Sequence, residues 1–296
     1  MIVHIGYHKT GTTFLQNRVF PFLEGIDYKE YHTSEERLRP IFNFTTPEYL
    51  DWKKKNHVDS SINSLYSYEG LVGTMGLGTY NLEIGNRLKE SGFQKVIITI
   101  RRQDRMLESV YRQYVQQGGV LKPQAFISDS RYFRWSYLDY FPLIDHYAQL
   151  FGPENILILT QEELKSNQND FVQRIVEFCG SGKYTPLQEI SGRKSNRSLS
   201  YFSIKTLRVL NHFTYNFYRP SHVLTKRIST WKFRLLFQRY LDPWFMLKVS
   251  GAKKFYSEAL AKKVRLMFRD SNEELEKKFK VPMLAMGFYQ EELTND

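Results

Sequence analysis

The sequence is poor in the residues that mark several functional classes. Cys179 is the only cysteine among 296 residues, so no intrachain disulfide can form and no cysteine cluster can hold zinc or an iron–sulfur centre. A reducing cytoplasm suits such a chain. No window approaches about 18 uncharged apolar residues, and Met1-Ile2-Val3-His4-Ile5-Gly6 runs directly into a strand-like pattern instead of a basic and then apolar leader. Neither a transmembrane span nor a secretory signal is expected. Only 10 prolines and 17 glycines accompany 42% hydrophobic residues, which excludes a collagen-like or generally disordered chain. The 7 histidines form no His-x-x-x-His or comparable ligand spacing, so no metal site is expected.

Positive charge and aromatic residues are abundant. The chain carries 42 Lys+Arg against 31 Asp+Glu, a net +11 that favours anionic partners. The excess is concentrated: between Tyr201 and Phe255 eleven basic residues stand against one acid, Asp242. Many of the 22 Phe and 20 Tyr interleave with them. This 201–255 stretch suits an acidic saccharide, a glycolipid or a peripheral anionic surface. A solvated helical face with aromatic undersides explains the same residues more plainly.

The first half alternates β-rich runs with helical spacings, the pattern of βαβ units around a parallel sheet. Strands are expected at Ile2–Ile5, Ile26–Tyr31, Ser61–Tyr66, Lys95–Ile100 and Asn155–Leu159. Helices are expected after the first Gly/Thr loop, at Leu82–Lys89, through Met106, Val110 and Tyr114, and at Leu164–Phe178. Beyond Cys179 the run Gly180-Ser181-Gly182-Lys183-Tyr184-Thr185-Pro186 is turn chemistry, and the rest reads as mostly helical. The expected organisation is one domain over 1–296, with an α/β nucleotide-binding core at 1–180 and a helical part at 181–296.

The first strand opens into Gly6-Tyr7-His8-Lys9-Thr10-Gly11-Thr12-Thr13, followed by a helix. That strand–loop–helix context is one in which backbone amides and a helix start bind phosphate. The two glycines have Walker A spacing, but Lys9 precedes the second glycine and Thr12 and Thr13 follow it. A nucleoside triphosphatase needs lysine directly after that glycine, then a hydroxyl for magnesium. A lysine inside the loop instead suits a donor whose leaving phosphate is stabilised by the ammonium itself.

His8-Lys9-Thr10-Gly11-Thr12-Thr13 resembles the 5′-phosphosulfate loop of sulfotransferases that use 3′-phosphoadenosine 5′-phosphosulfate (PAPS). A second segment, Arg101-Arg102-Gln103-Asp104-Arg105-Met106-Leu107-Glu108-Ser109, is similar to the same family's 3′-phosphate segment. Arg101 stands at the strand end and Ser109 eight residues later; Gln103 occupies a position where the family often has proline. Gly192-Arg193-Lys194-Ser195-Asn196 resembles the segment that bacterial members fold over the nucleotide, which would bring Arg193, Lys194 and Asn196 to the 3′-phosphate side. Ser198 or Ser200 also reads as a helix N-cap there.

The resemblance implies a P-loop-like three-layer α/β/α sandwich with a central parallel sheet and a helical C-terminal region. It implies PAPS as co-substrate, no required metal, and transfer of a sulfuryl group to a hydroxyl or amine, with a saccharide or glycolipid as the expected acceptor. Lys9 would neutralise the leaving oxygen, and Thr10, Gly11, Thr12 and Thr13 would hold the phosphosulfate. Glu69 is the first candidate for the base, since it follows a strand and would emerge at the same sheet edge. A surface or capping glutamate is the plainer alternative, and His32 and His8 are reserves. Competing readings are a small-molecule kinase, disfavoured by the loop order, and a non-enzymatic basic anion-binding protein, with nucleic acid disfavoured as partner.

Overall fold

A computed structural model describes residues 1–55, 63–184, 199–214, 230–246 and 253–290. Five strands, β1 (Ile2–His4), β2 (Asp27–Tyr28), β3 (Ser64–Ser67), β4 (Lys95–Ile100) and β5 (Ile156–Thr160), form a sheet in the order β2-β3-β1-β4-β5. Every pairing is parallel. The reason lies in composition: β4 and β5 are built almost wholly of Val, Ile, Leu and Thr, as strands covered on both faces must be.

The connections carry α1 (Thr12–Phe14), α2 (Tyr31–Asn43), α3 (Thr46–Lys55), α4 (Asn81–Glu90), α5 (Gln103–Gln116), α6 (Pro123–Ser128), α7 (Tyr140–Phe151), α8 (Gln161–Ser166) and α9 (Gln168–Cys179). After them come α10 (Tyr201–Leu210), α11 (Thr230–Leu236), α12 (Glu258–Met267) and α13 (Arg269–Phe279). The chain forms two compact units. The first comprises Met1–Gln103, Arg134–Glu189 and Val264–Asp296 and holds the whole sheet; the second comprises Asp104–Phe133 and Ile190–Lys263. The C-terminal part of the sequence is thus shared between them.

In the first unit, Leu15, Val19, Phe20 and Leu23 from the segment after β1, with Phe171, Val172, Ile175 and Val176 from α9, bury against Ile2, Leu65, Ile97 and Leu159. Cys179 belongs to this layer, and burial pushes its thiol up to about 12, as expected of a packing cysteine. Away from that cluster, α4 and α7 pack together, α7 also lies against β4 and β5, and α13 packs on α7. The result is a three-layer α/β/α sandwich. In the second unit, Tyr111 and Tyr114 of α5 pack around Phe126, and Asn211 Nδ2 donates to the Val115 and Gly119 carbonyls at 2.8 and 2.9 Å. Ser200 caps α10, its hydroxyl accepting from the Ser203 amide at 3.1 Å.

The expected strands are found within a few residues. The second is only Asp27–Tyr28, because α2 begins at Tyr31 and takes the residues expected to extend it. The helix expected at Leu164–Phe178 is two helices: Asn167 leaves helical conformation and caps α9, its side chain accepting from the Asp170 amide at 3.2 Å. An Asn side chain competing for the backbone is a sufficient cause of that break.

Candidate active site

The site lies at the C-terminal edge of the sheet, where the order of strands reverses. The connection from β1 runs to one side, towards β2, and that from β4 runs to the other, towards β5. Ligand crevices of parallel α/β sheets sit at such a point. The loop after β1 and Arg101 after β4 flank it, and Arg101 Nη1 donates to the Lys9 carbonyl at 3.3 Å.

The loop is shaped by two residues with positive φ, Lys9 at 67° and Gly11 at 98°. Glycine takes that conformation freely; lysine does so at a cost. Gly6 is required for a different reason. A Cβ there would stand 2.4 Å from Thr99 Oγ1 and 2.8 Å from the His4 ring. The Lys9 side chain is exposed, Thr10 and Thr12 are buried, and Gly11 and Thr13 are half-buried.

Beneath the loop runs a chain of polar side chains whose hydrogen bonds can be directed. Thr10 Oγ1 donates to the Tyr7 carbonyl at 2.6 Å, so across its 2.7 Å contact with Thr99 Oγ1 it must accept. Thr99 thereby spends its proton on Thr10 and accepts from His4 Nε2 at 3.1 Å. His4 Nδ1 is then the acceptor for Ser67 Oγ at 2.8 Å, and Ser67 Oγ accepts from Gln16 Nε2 at 3.1 Å. This order demands a neutral imidazole with its proton on Nε2. Full burial agrees, holding the His4 pKa down to about 3. Three strands and the loop are tied together by this chain.

Glu69 follows β3 and opens a 3-10 turn, Glu69–Val72. Burial raises its pKa, while the Lys9 ammonium and the Thr12 hydroxyl pull it back. The Thr12 Oγ1 is buried and approaches the carboxylate without meeting hydrogen-bond geometry. Lys9, Thr12 and Glu69 are therefore neighbours. Beside them, Tyr68 stacks on Phe42 at 4.7 Å and leans on Tyr31 at 5.6 Å between ring centroids. His8 is held neutral, its pKa lowered to about 4 by burial and then by Lys9, and its Nδ1 lies 3.4 Å from the Tyr137 hydroxyl.

Of the residues expected from sequence, the structure brings together His8, Lys9, Thr10, Gly11, Thr12, Thr13, Glu69 and Arg101, all in the first unit. Ser109 lies half-buried on α5 in the second unit. Arg193, Lys194 and Asn196 fall outside the described residues. His32 is exposed in the first turn of α2. Sequence reading missed His4, Ser67, Thr99 and Gln16. The signal for two of them was present: His4 and Thr99 are polar residues inside otherwise apolar strands. Among the described residues no group of three or more His, Cys, Asp or Glu side chains is arranged to hold a metal ion, and no described helix is long and apolar enough to cross a membrane.

No curated protein sequence is recognisably similar to the chain. Solved structures that resemble it include a sulfotransferase from Alicyclobacillus acidocaldarius, at 15% identity over 65% of this chain and 86% of that one with a TM-score of 0.46, and mouse sulfotransferase SULT7A1 complexed with PAP, at 15% identity over 93% and 84% with a TM-score of 0.40. The sulfotransferase domain model matches residues 1–235. With that match spanning most of its length, the chain belongs to the sulfotransferase family.

Proposed function

We propose that the protein transfers the sulfuryl group of PAPS to a hydroxyl of a saccharide or glycolipid acceptor. The observation that carries this reading is the meeting of Lys9, Thr12 and Glu69 beside a phosphate-type loop in a chain of the sulfotransferase family. PAPS supplies an activated sulfuryl group whose leaving partner is adenosine 3′,5′-bisphosphate. The residues suit it: an exposed ammonium at Lys9, a backbone turned at Gly11, and a buried Thr12 hydroxyl beside the Glu69 carboxylate.

In this reading the acceptor oxygen attacks sulfur in line, forming one S–O bond as the bond to the leaving phosphate breaks. Glu69 takes the acceptor proton. Its carboxylate suits that task, because burial makes it a stronger base than an ordinary glutamate while Lys9 and Thr12 favour the ionised form. Lys9 meets the charge building on the leaving oxygen. Arg101 and Ser109, with Arg193, Lys194 and Asn196, are assigned to the 3′-phosphate. Aromatic rings of Tyr31, Phe42 and Tyr68 beside Glu69 support a saccharide, whose C–H faces stack on such surfaces. The lone, buried Cys179 accords with a cytoplasmic setting.

Thermal shift separates this from a kinase on the same fold. At about 100 times its dissociation constant, adenosine 3′,5′-bisphosphate stabilises by about 2.7 kcal/mol and raises the midpoint by about 4 °C. A response to ATP with magnesium and none to the bisphosphate would overturn the reading.

A further inference from the structure

The second unit carries an exposed face to which the proposed mechanism assigns no role. In the segment from α11 through Phe237–Met246, Trp231 is 61% exposed and Tyr240 58%, and Leu235 and Leu236 are exposed as well. Arg239 lies among them, its guanidinium 5.7 Å from the centre of the Tyr240 ring. The helical spacing explains the arrangement. In α11, at 100° per residue, positions 231, 235 and 236 fall on one half of the helix, and in the π-helix Phe237–Met246 that follows Arg239 and Tyr240 are exposed while Phe237 is buried. The adjoining α10 shows the same mixture, with Lys205 and Val209 exposed at i and i+4 and Phe213 exposed in the turn that follows it.

The only acid between Tyr201 and Phe255, Asp242, is withdrawn from this surface. It is 3% exposed, accepting from the Ser200 amide at 2.8 Å and from the Ser203 hydroxyl. Among the described residues of the stretch, Lys205, Arg239, Lys253 and Lys254 are exposed, and no carboxylate of the stretch is exposed to offset them.

Charge and apolarity together select the occupant. A second copy of the chain would set like charges against each other across the contact. A nucleic acid backbone would satisfy the cations and leave Trp231, Leu235 and Leu236 against phosphate. An anionic bilayer satisfies both, since tryptophan, tyrosine and leucine enter the headgroup region while basic residues meet the lipid charge. We propose that the Thr230–Met246 segment is a peripheral docking surface for an anionic membrane.

The test uses the full chain and sedimentation with vesicles of phosphatidylcholine alone or with about 30% phosphatidylglycerol. The protein is expected to bind the mixed vesicles at low salt and to bind neutral ones at least about tenfold more weakly, with binding falling steeply towards 1 M salt. Trp231→Ser combined with Leu235→Ser and Tyr240→Ser should weaken binding about tenfold or more, as should Arg239→Glu, while the circular dichroism melt stays unchanged because these side chains are exposed. Equal binding to both vesicle types, or unaltered binding in both variants, overturns the proposal. So does tight association with duplex DNA that ignores the triple substitution, or a concentration-dependent dimer that the triple substitution abolishes. The readout is lipid binding, so its outcome is independent of whether PAPS is the donor.

Discussion

The Arg101 guanidinium donates to the carbonyl of Lys9 across 3.3 Å, joining the end of β4 to the one non-glycine residue of the loop that holds positive φ. The contact makes Arg101 a brace for the loop as well as the candidate 3′-phosphate ligand. Both roles bear on what its removal does.

Arg101→Ala should weaken adenosine 3′,5′-bisphosphate by the worth of a charged hydrogen bond, about 1.5–3 kcal/mol, and an analogue lacking the 3′-phosphate by less. Ser109→Ala should show the same selectivity without touching the loop. Calorimetry with the two ligands checks this. Equal losses for both ligands in Ser109→Ala would remove the serine from the 3′-phosphate.

Glu69→Gln should lower turnover about 100-fold or more while leaving nucleotide affinity near normal, because the amide cannot take the acceptor proton. The pKa of Glu69 is raised in the fold, so ionising it costs stability at pH above its ordinary 4.5. The variant should therefore melt higher than the parent at pH 7–8, and the gain should vanish as pH falls below about 4.5. A melting temperature lowered at every pH would show that the carboxylate is a structural partner.

His4 and His8 are both depressed, to about 3 and about 4, from an ordinary 6.5. Between those values the unfolded chain binds more protons than the native one, so stability must fall as pH drops through 6.5 towards 4. Each histidine contributes a slope of up to about 1.4 kcal/mol per pH unit. His4→Asn, which keeps an acceptor for Ser67, should make that slope shallower in denaturant melts. An unchanged slope would mean that His4 titrates in the fold.

Gly6→Ala forces a methyl group against Thr99 Oγ1 and the His4 ring, neither of which can swing away without breaking the chain of hydrogen bonds beneath the loop. Overpacking of this kind costs about 1–3 kcal/mol. Chemical denaturation measures it, and a loss below about 0.5 kcal/mol would show that the network yields easily.

Why some of this was legible and some not has physical causes. The run Lys95–Ile100 reads as a buried parallel strand because after Lys95 nothing polar but Thr99 interrupts it, and the structure keeps those bounds. The place of the loop after β1 was legible because its glycines and Lys9 lie within six residues, and that of Glu69 at the sheet edge because it follows one strand. Ser200 as a cap follows from a local hydrogen bond three residues long. The His4–Thr99–Thr10 chain was not legible, since its members are up to 95 residues apart and meet only when β1 and β4 pair. The two-residue β2 and the break at Asn167 depend on local competition between side chain and backbone, which hydrophobic spacing does not register.

The most direct test of the account is sulfuryl transfer from PAPS by the Lys9→Ala variant. Lys9 is exposed, so the fold should survive. The loss of one preorganised charge donor should lower turnover about 100- to 1000-fold with an unchanged circular dichroism spectrum. Turnover within a few-fold of the parent protein would contradict the assignment of Lys9 to the leaving phosphate, and with it the mechanism.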